Sequence, residues 1–219
     1  MAITLQTYQT GVQRLLDDAN ANYWTLLEIT DYINEARNQV ATDTACVRQI
    51  FGDPSATPVL LTTNKDKYLF TDLIPNKNTV DIINVRVNFG NSWLPLYWRA
   101  FTVFSAYFRV WSQYSQQPYV FTTYGANILW LAPIPNQPYA VELDAAVLPD
   151  LLSAPTDVEA QLPTPYHEAV KFKAAWLAKL RFQAYNEAQK LLDIYTLKIQ
   201  TLNAMYPRRI PDVYATEDQ

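Results

Sequence analysis

Leu162-Pro163-Thr164-Pro165-Tyr166-His167-Glu168-Ala169 marks the point where the chain changes character. Thr164 is a good N-cap, Pro165 suits the first helical position, and Glu168 in the first turn suits the positive end of a helix. No proline follows until Pro207. Of the 14 prolines in the 219 residues, twelve lie in 54–165, two in 207–219 and none in 1–53 or 166–206. Proline breaks helix interiors, so the two proline-free blocks are the natural helical regions.

The first block reads as two helices. Leu5, Tyr8, Val12, Leu15 and Leu16 share one face at spacings of three and four. Residues 17–22 are polar and mark a turn. Thr25-Leu26-Leu27-Glu28 is a capping-box pattern, and Ile29, Tyr32, Ile33, Ala36 and Val40 continue an apolar face behind it. In the last block Ala169, Phe172, Trp176 and Leu180 form one stripe. Ala188, Leu191, Leu192, Tyr195, Ile199 and Leu202 form another, out of phase with the first, so we expect a break near Tyr185-Asn186.

The middle block reads as strands. Ile83, Val85, Val87 and Phe89 alternate with polar residues, as do Val141, Leu143, Ala145 and Val147, which is the mark of a half-buried strand. Segments 58–62, 67–70, 93–97, 118–124 and 127–132 are further candidates, the last two flanking a Gly125-Ala126 hairpin turn. Residues 100–111 read as a short helix. The expected fold class is α+β. A four-helix bundle forms from 1–53 and 164–206, an antiparallel β-sandwich or barrel-like domain from 54–163 is inserted in it, and 207–219 is an extended tail.

Composition removes much of enzymology. One cysteine excludes an internal disulfide framework and cysteine zinc sites, one histidine excludes His-His metal motifs, and four glycines leave no phosphate-cradling loop. We expect no cofactor, no metal and no membrane span, and the start of the chain has no secretion-signal pattern. The net charge of −4 sits entirely on residues 1–46, where two arginines face six acids. Such a protein is a poor duplex binder, because phosphate neutralisation needs a basic surface.

Candidate reactive groups are few. A Cys46–His167 dyad is the one conceivable thiol centre, though a cysteine among apolar residues usually just packs and a histidine in a first helical turn is most simply on the surface. Glu142 and Asp144 share a strand face and are the pair a glycan hydrolase would need; half-exposed strands show the same alternation. Lys171, Lys173, Lys179 and Arg181 form a basic stretch that either solubilises a helix or meets an acidic partner. Nine bulky aromatics crowd into 93–114, more than a small β domain readily buries. Trp93, Trp98, Tyr107 and Trp111 are the candidates for a protein–protein surface.

The chain resembles the head-to-tail adaptor (connector) proteins of tailed bacteriophages. Tyr23-Trp24-Thr25 with Glu28-Ile29 and Tyr32-Ile33-Asn34-Glu35-Ala36 looks like their opening helical hairpin. Gln117-Pro118-Tyr119, then residues 128–135, then Val141-Glu142-Leu143 look like their β segment, and Leu162-Pro163 with Tyr166-His167-Glu168-Ala169 like the entry to their last helices. Tyr185-Asn186 stands where that family often has Gly-Asp. The resemblance implies a virion protein, not an enzyme. It implies a ring of neighbouring copies, commonly dodecameric, assembled in the host cytoplasm. The ring joins the portal protein to tail tube or nozzle proteins at the head-tail junction, and DNA passes through unread. It also points to Arg208, Arg209, Ile210 and Tyr214 as portal contacts. Asp17, Asp18, Asp31 and Glu35 are candidates to line the channel, where acids repel DNA, or to face a basic neighbour. The alternative is a carbohydrate- or receptor-binding module of a virion, which also exposes Trp and Tyr.

Overall fold

The computed structural model describes residues 3–52, 58–90, 92–108, 110, 113–125 and 127–207. The chain divides into two compact units, one of residues 1–47 with 149–219 and one of residues 48–148. Its class is mixed α+β, with no closed barrel among the described residues.

The first unit holds four long helices: α1 (Leu5–Leu16), α2 (Leu26–Thr44), α5 (His167–Arg181) and α6 (Tyr185–Met205). The capping box of α2 is complete. The Thr25 hydroxyl accepts from the Glu28 amide at 3.2 Å, and Glu28 Oε2 accepts from the Thr25 amide at 3.1 Å. Leu5, Tyr8, Val12 and Leu16 of α1 and Ile29, Ile33, Ala36 and Val40 of α2 are buried, as the spacing requires. Helix α5 packs against α1, α2 and α6. Its buried face is not the expected stripe of Phe172, Trp176 and Leu180. Ala169, Val170, Ala174, Ala175 and Ala178 are fully buried, while Phe172 and Trp176 are half-buried and Leu180 is exposed. Small side chains allow three helices to approach one central helix, so residue size misdirected the reading.

Helices α5 and α6 are separate. The break falls at 182–184, directly before Tyr185-Asn186 as the out-of-phase stripes require, and Gln183 takes a left-handed φ of 58°. Its amide bonds Leu180 O at 3.0 Å and the Ala184 amide bonds Lys179 O at 3.1 Å, which closes the end of α5.

The chain enters this unit a second time at 149–163, and one buried ion pair fixes that segment. Arg37 Nε donates to Glu159 Oε2 at 2.6 Å, and Arg37 Nη2 to Oε1 at 3.2 Å. Both side chains are out of solvent. Arg37 Nη1 donates to the Asn34 side-chain oxygen (3.1 Å) and to Asp150 O (2.7 Å), and Asn34 exchanges two hydrogen bonds with the Leu152 backbone. Glu159 Oε1 also accepts the amides of Gln161 and Leu162, both at 3.1 Å. Residues 3–6 lie along the same segment: Leu5 N bonds Asp157 O (2.9 Å), Gln6 N bonds Pro155 O (3.0 Å) and Glu159 N bonds Ile3 O (2.8 Å). Two otherwise unmatched amides at the start of α1 are satisfied in this way.

In the second unit, the larger sheet has strand order β1 (Arg48–Phe51), β11 (Ala140–Val147), β4 (Thr79–Asn88) and β5 (Trp93–Pro95), with β2 (Val59–Leu60) also on β11. Its pairings are antiparallel. The alternation read from Ile83 holds: Ile83, Val85 and Val87 are buried, while Asn84 and Arg86 are exposed. The register skips from Asn84 opposite Asp144 to Ile82 opposite Ala145, so Ile83 is bulged and buried beside Ile82. The other sheet runs β3 (Lys67–Leu69), β9 (Ile128–Ala132), β8 (Val120–Tyr124) and β6 (Tyr97–Trp98). β8 and β9 form the expected hairpin, with Tyr124 opposite Ile128. Two pairings are parallel, against the all-antiparallel expectation: β6 with β8, and β7 (Ser115–Gln116) with β10 (Ile134–Pro135). α3 (Phe70–Leu73) and α4 (Phe101–Val103) are single turns, and a π-helical turn, Phe104–Phe108, continues α4. Gly52 has φ 82°, and a side chain there would meet Val141 O at 2.0 Å, so only glycine fits beside β11.

Burial alone pushes the Glu159 carboxyl upward, but the Arg37 hydrogen bonds and the amides of Leu162 and Gln161 outweigh it and hold it below the usual range. Glu159→Gln leaves a buried guanidinium without its counter-charge and is expected to cost about 3 kcal/mol in denaturant unfolding, whereas Arg37→Met with Glu159→Leu costs much less. The wild-type advantage over Glu159→Gln is full above the unfolded carboxylate value of ~4.3 and fades as pH falls through the lowered folded value. Gln183 is exposed, so Gln183→Gly removes left-handed strain without losing packing and should stabilise the protein by about 0.5–1 kcal/mol in the same assay.

Candidate interaction surfaces

Among the described residues no group of three His, Cys, Asp or Glu is placed to hold a metal, and no helix is long and apolar enough to cross a membrane. Glu142 and Asp144 spend their charge across the sheet. Glu142 takes Arg86 Nη1 at 3.2 Å, and Asp144 takes the Arg48 guanidinium and Asn84 Nδ2. These are pairs of adjacent strands holding register, the ordinary reading of that alternation. Cys46 is half-buried and burial pushes its thiol up, the opposite of an activated nucleophile. His167 is not a surface residue. It is buried, its Nε2 is 2.9 Å from Leu162 O, and its ring meets the edge of Tyr8 at 5.8 Å.

The acids of 1–46 separate into two kinds. Asp17, Asp31 and Glu35 are exposed. Asp18 is 3% exposed and accepts the amides of Asn22 (2.8 Å), Tyr23 (3.0 Å) and Trp24 (3.1 Å). Burial pushes its carboxyl up, and the three amides outweigh that and leave it below the usual range. It builds the turn between α1 and α2 and does not present charge to a channel.

The basic stretch of α5 is engaged inside its own unit. Lys171 pairs with Glu168 (2.6 Å), Lys179 with Glu187 (2.7 Å), and Arg181 with Glu28 (2.8 Å) and the Tyr32 hydroxyl (3.0 Å). Lys173 lies over Trp176 and Tyr195 at 4.0 and 4.8 Å, and burial lowers its ammonium from the usual value.

The aromatics of 93–124 divide between core and surface. Phe104 is buried against Val120 and Ala132, with Phe108, Tyr119 and Trp130 packed on it. Trp130 is held by Asp66, which accepts its indole N–H at 2.9 Å, and by Lys67 at 4.2 Å over its ring. Phe101 lies 4.4 Å from Tyr124. Of the four interface candidates, Trp98 and Tyr107 are exposed, Trp93 is half-buried opposite Asn88, and Trp111 lies outside the described residues. Arg208, Arg209, Ile210 and Tyr214 lie outside them as well. Tyr97 and Tyr114 of the same aromatic cluster are exposed too, and Leu94 and Val103, which the sequence reading did not single out, add to the exposed apolar surface.

The assembled features are a helical unit tied by internal ion pairs and a sheet unit with exposed aromatics, which is the make-up of a structural, partner-binding protein. The model of the SU10 adaptor protein family matches residues 3–215, and the chain belongs to that family. It is accordingly a structural adaptor of a bacteriophage, found in the virion and associating with other virion proteins. No curated protein matches the chain at a significant level.

Asp18→Ala removes the acceptor of three amides. The amides of Asn22, Tyr23 and Trp24 should then exchange with solvent at least tenfold faster, as read by hydrogen exchange, with α5 and α6 unchanged. Since its folded value is depressed, wild-type protection should persist above the unfolded carboxylate value of ~3.9 and be lost as pH falls through the folded one.

Proposed function

We propose that the protein is the head-to-tail adaptor of a tailed phage: a closed ring, twelve-fold in the simplest reading, seated on the portal and receiving the first tail proteins below. The four long helices act as one bundle and the two main sheets as a sandwich. DNA passes through the lumen without sequence-specific contact. The observation that carries the reading is the family match across 3–215, which takes in both units and not a single motif.

The exposed acids Asp17, Asp31 and Glu35 face the passage or the basic side of the next copy. A negatively lined passage keeps DNA from adhering. Trp98 and Tyr107 contribute to a surface between virion proteins. Arg208, Arg209, Ile210 and Tyr214 supply the portal contact: two prolines favour an extended segment, and a ring of weak contacts gains by multivalency.

The purified protein should run as a monomer or weak oligomer in light scattering. It should form closed rings, seen by electron microscopy, when mixed with the portal protein of the same virus. A chain ended after Tyr206 should stay folded and fail to attach. A stable dimer indifferent to portal would refute the ring, and normal attachment of the shortened chain would refute the role of the tail.

A further inference from the structure

The segment that returns from the sheet unit shapes an open cleft of about 340 Å³ on the helical unit. Its lining takes in Arg37, Asp150, Leu151, Asp157, Val158 and Glu159, three acids against one base. The base is already spent, since Arg37 pairs with Glu159. Asp157 Oδ2 accepts the amides of Ser153 and Ala154, both at 2.8 Å, and these bonds hold its carboxyl below the usual range. It is an anion fixed in place, and among the described residues no cation pairs with it. Beside it Leu151 and Val158 are 72 and 50% exposed. A fixed carboxylate next to bare aliphatic side chains suits a cationic segment with an apolar residue in it.

The helical unit carries such a segment itself. Outside its described residues are Met1-Ala2 and 208–219, and only the second has cationic side chains: it opens Arg208-Arg209-Ile210. The chain leaves α6 close to the cleft. The Tyr206 ring lies 6.4 Å from the Tyr166 ring. Tyr166 N bonds Pro163 O at 3.0 Å, and the next residue back, Leu162, donates its amide to Glu159 Oε1 at 3.1 Å. From Tyr166 back to Gln161 at the cleft is at most about 17 Å of chain, and from Tyr206 on to Ile210 up to about 13 Å, so Ile210 and the two arginine side chains before it are within reach.

We infer that Arg208, Arg209 and Ile210 occupy this cleft of their own copy before assembly, with the guanidiniums on Asp157 and Asp150 and Ile210 on Leu151 and Val158. Ion pairs at an exposed rim are individually weak. The tether compensates, because a short link raises the local concentration of the segment far above that of any other copy. In its consequence for assembly this rests on the portal reading of the tail. The same residues then have two alternative partners, and the portal displaces them from the cleft. Free copies keep their portal-binding side chains covered until a portal competes for them.

Disulfide closure in the free protein tests the contact. In a Cys46→Ser background, Ile210→Cys is combined either with Leu151→Cys in the cleft or with Thr164→Cys, an exposed position two residues before Tyr166 and so nearer the root of the tail. Under one mild oxidation, closure with Leu151→Cys should be about tenfold faster than with Thr164→Cys and give monomers on a non-reducing gel. Asp157→Asn keeps an acceptor for the two amides, removes the charge and should slow that closure. Equal rates, or faster closure with Thr164→Cys, would overturn the proposal. Disulfide-linked dimers would overturn it too, by putting the segment on another copy. On portal-bearing heads Asp157→Asn should attach more tightly than the unsubstituted protein, and Arg208→Glu with Arg209→Glu less tightly. Weaker attachment of Asp157→Asn would refute the competition. Normal attachment of the double arginine variant, with rapid closure on Leu151→Cys, would refute the portal reading and leave the cleft contact standing.

Discussion

A buried guanidinium must have its counter-charge. In the helical unit that requirement joins two stretches 122 residues apart. Arg37 sits in the apolar row of α2, between Ile33 and Val40, where water cannot reach it. Glu159 is the answer to it, and Glu159 arrives only because the chain comes back from the sheet unit at 149. The remaining groups of the two side chains are satisfied by Asn34, Asp150 O and the amides of Gln161 and Leu162. Since residues 3–6 bond to the same returning segment, the start of α1, the body of α2 and the approach to α5 are fixed by one network. Ion pairs of this kind confer specificity more than raw stability. Here the specificity is the seating of a discontinuous unit whose two halves are separated by about a hundred residues of other structure.

With so little glycine, the chain closes its helices on other residues. Asp17, Ala45 and Gln183 all take left-handed conformations at the ends of α1, α2 and α5. Each is compensated locally. Asp17 and Gln183 sit in turns whose amides find helix carbonyls, and the Ala45 amide bonds Ala41 O at 2.8 Å. The two turns that result stand together at one end of the unit, with Trp24 against Phe182 and Arg181 against Glu28. A stiff end bearing exposed Tyr and Leu side chains is a surface built for contact.

Much of the fold was legible because it is written in local chemistry. The proline partition, the capping box, the α1 and α2 faces and the 118–132 hairpin need no knowledge of distant residues. What was misread depends on partners. The burial of α5 follows its alanines because three helices converge on it, and no single-helix pattern of large hydrophobes reveals that. Asp18 and His167 read as surface polar groups because their acceptors and donors are backbone atoms. The alternation at β4 was legible, but the bulge that leaves Ile83 unpaired beside Ile82 was not, because it is set by the register with β11. The tether was half visible: Arg37 on a core stripe signals a buried counter-charge, but nothing local identifies Glu159. The aromatic excess correctly marked a region that exposes rings, while Phe104 and Trp130 within it proved to be core and packing.

The adaptor reading binds these features together, since a protein that joins others needs stiff units, compensated charge and exposed apolar contacts. Imaging the neck of the intact virion to side-chain resolution tests it most directly. The account predicts a closed ring of this chain between portal and tail, with Arg37 and Glu159 paired in every copy and the α2 acid Glu35 toward the DNA passage. Density for the chain elsewhere in the particle, or copies at the neck that do not close into a ring, would contradict it.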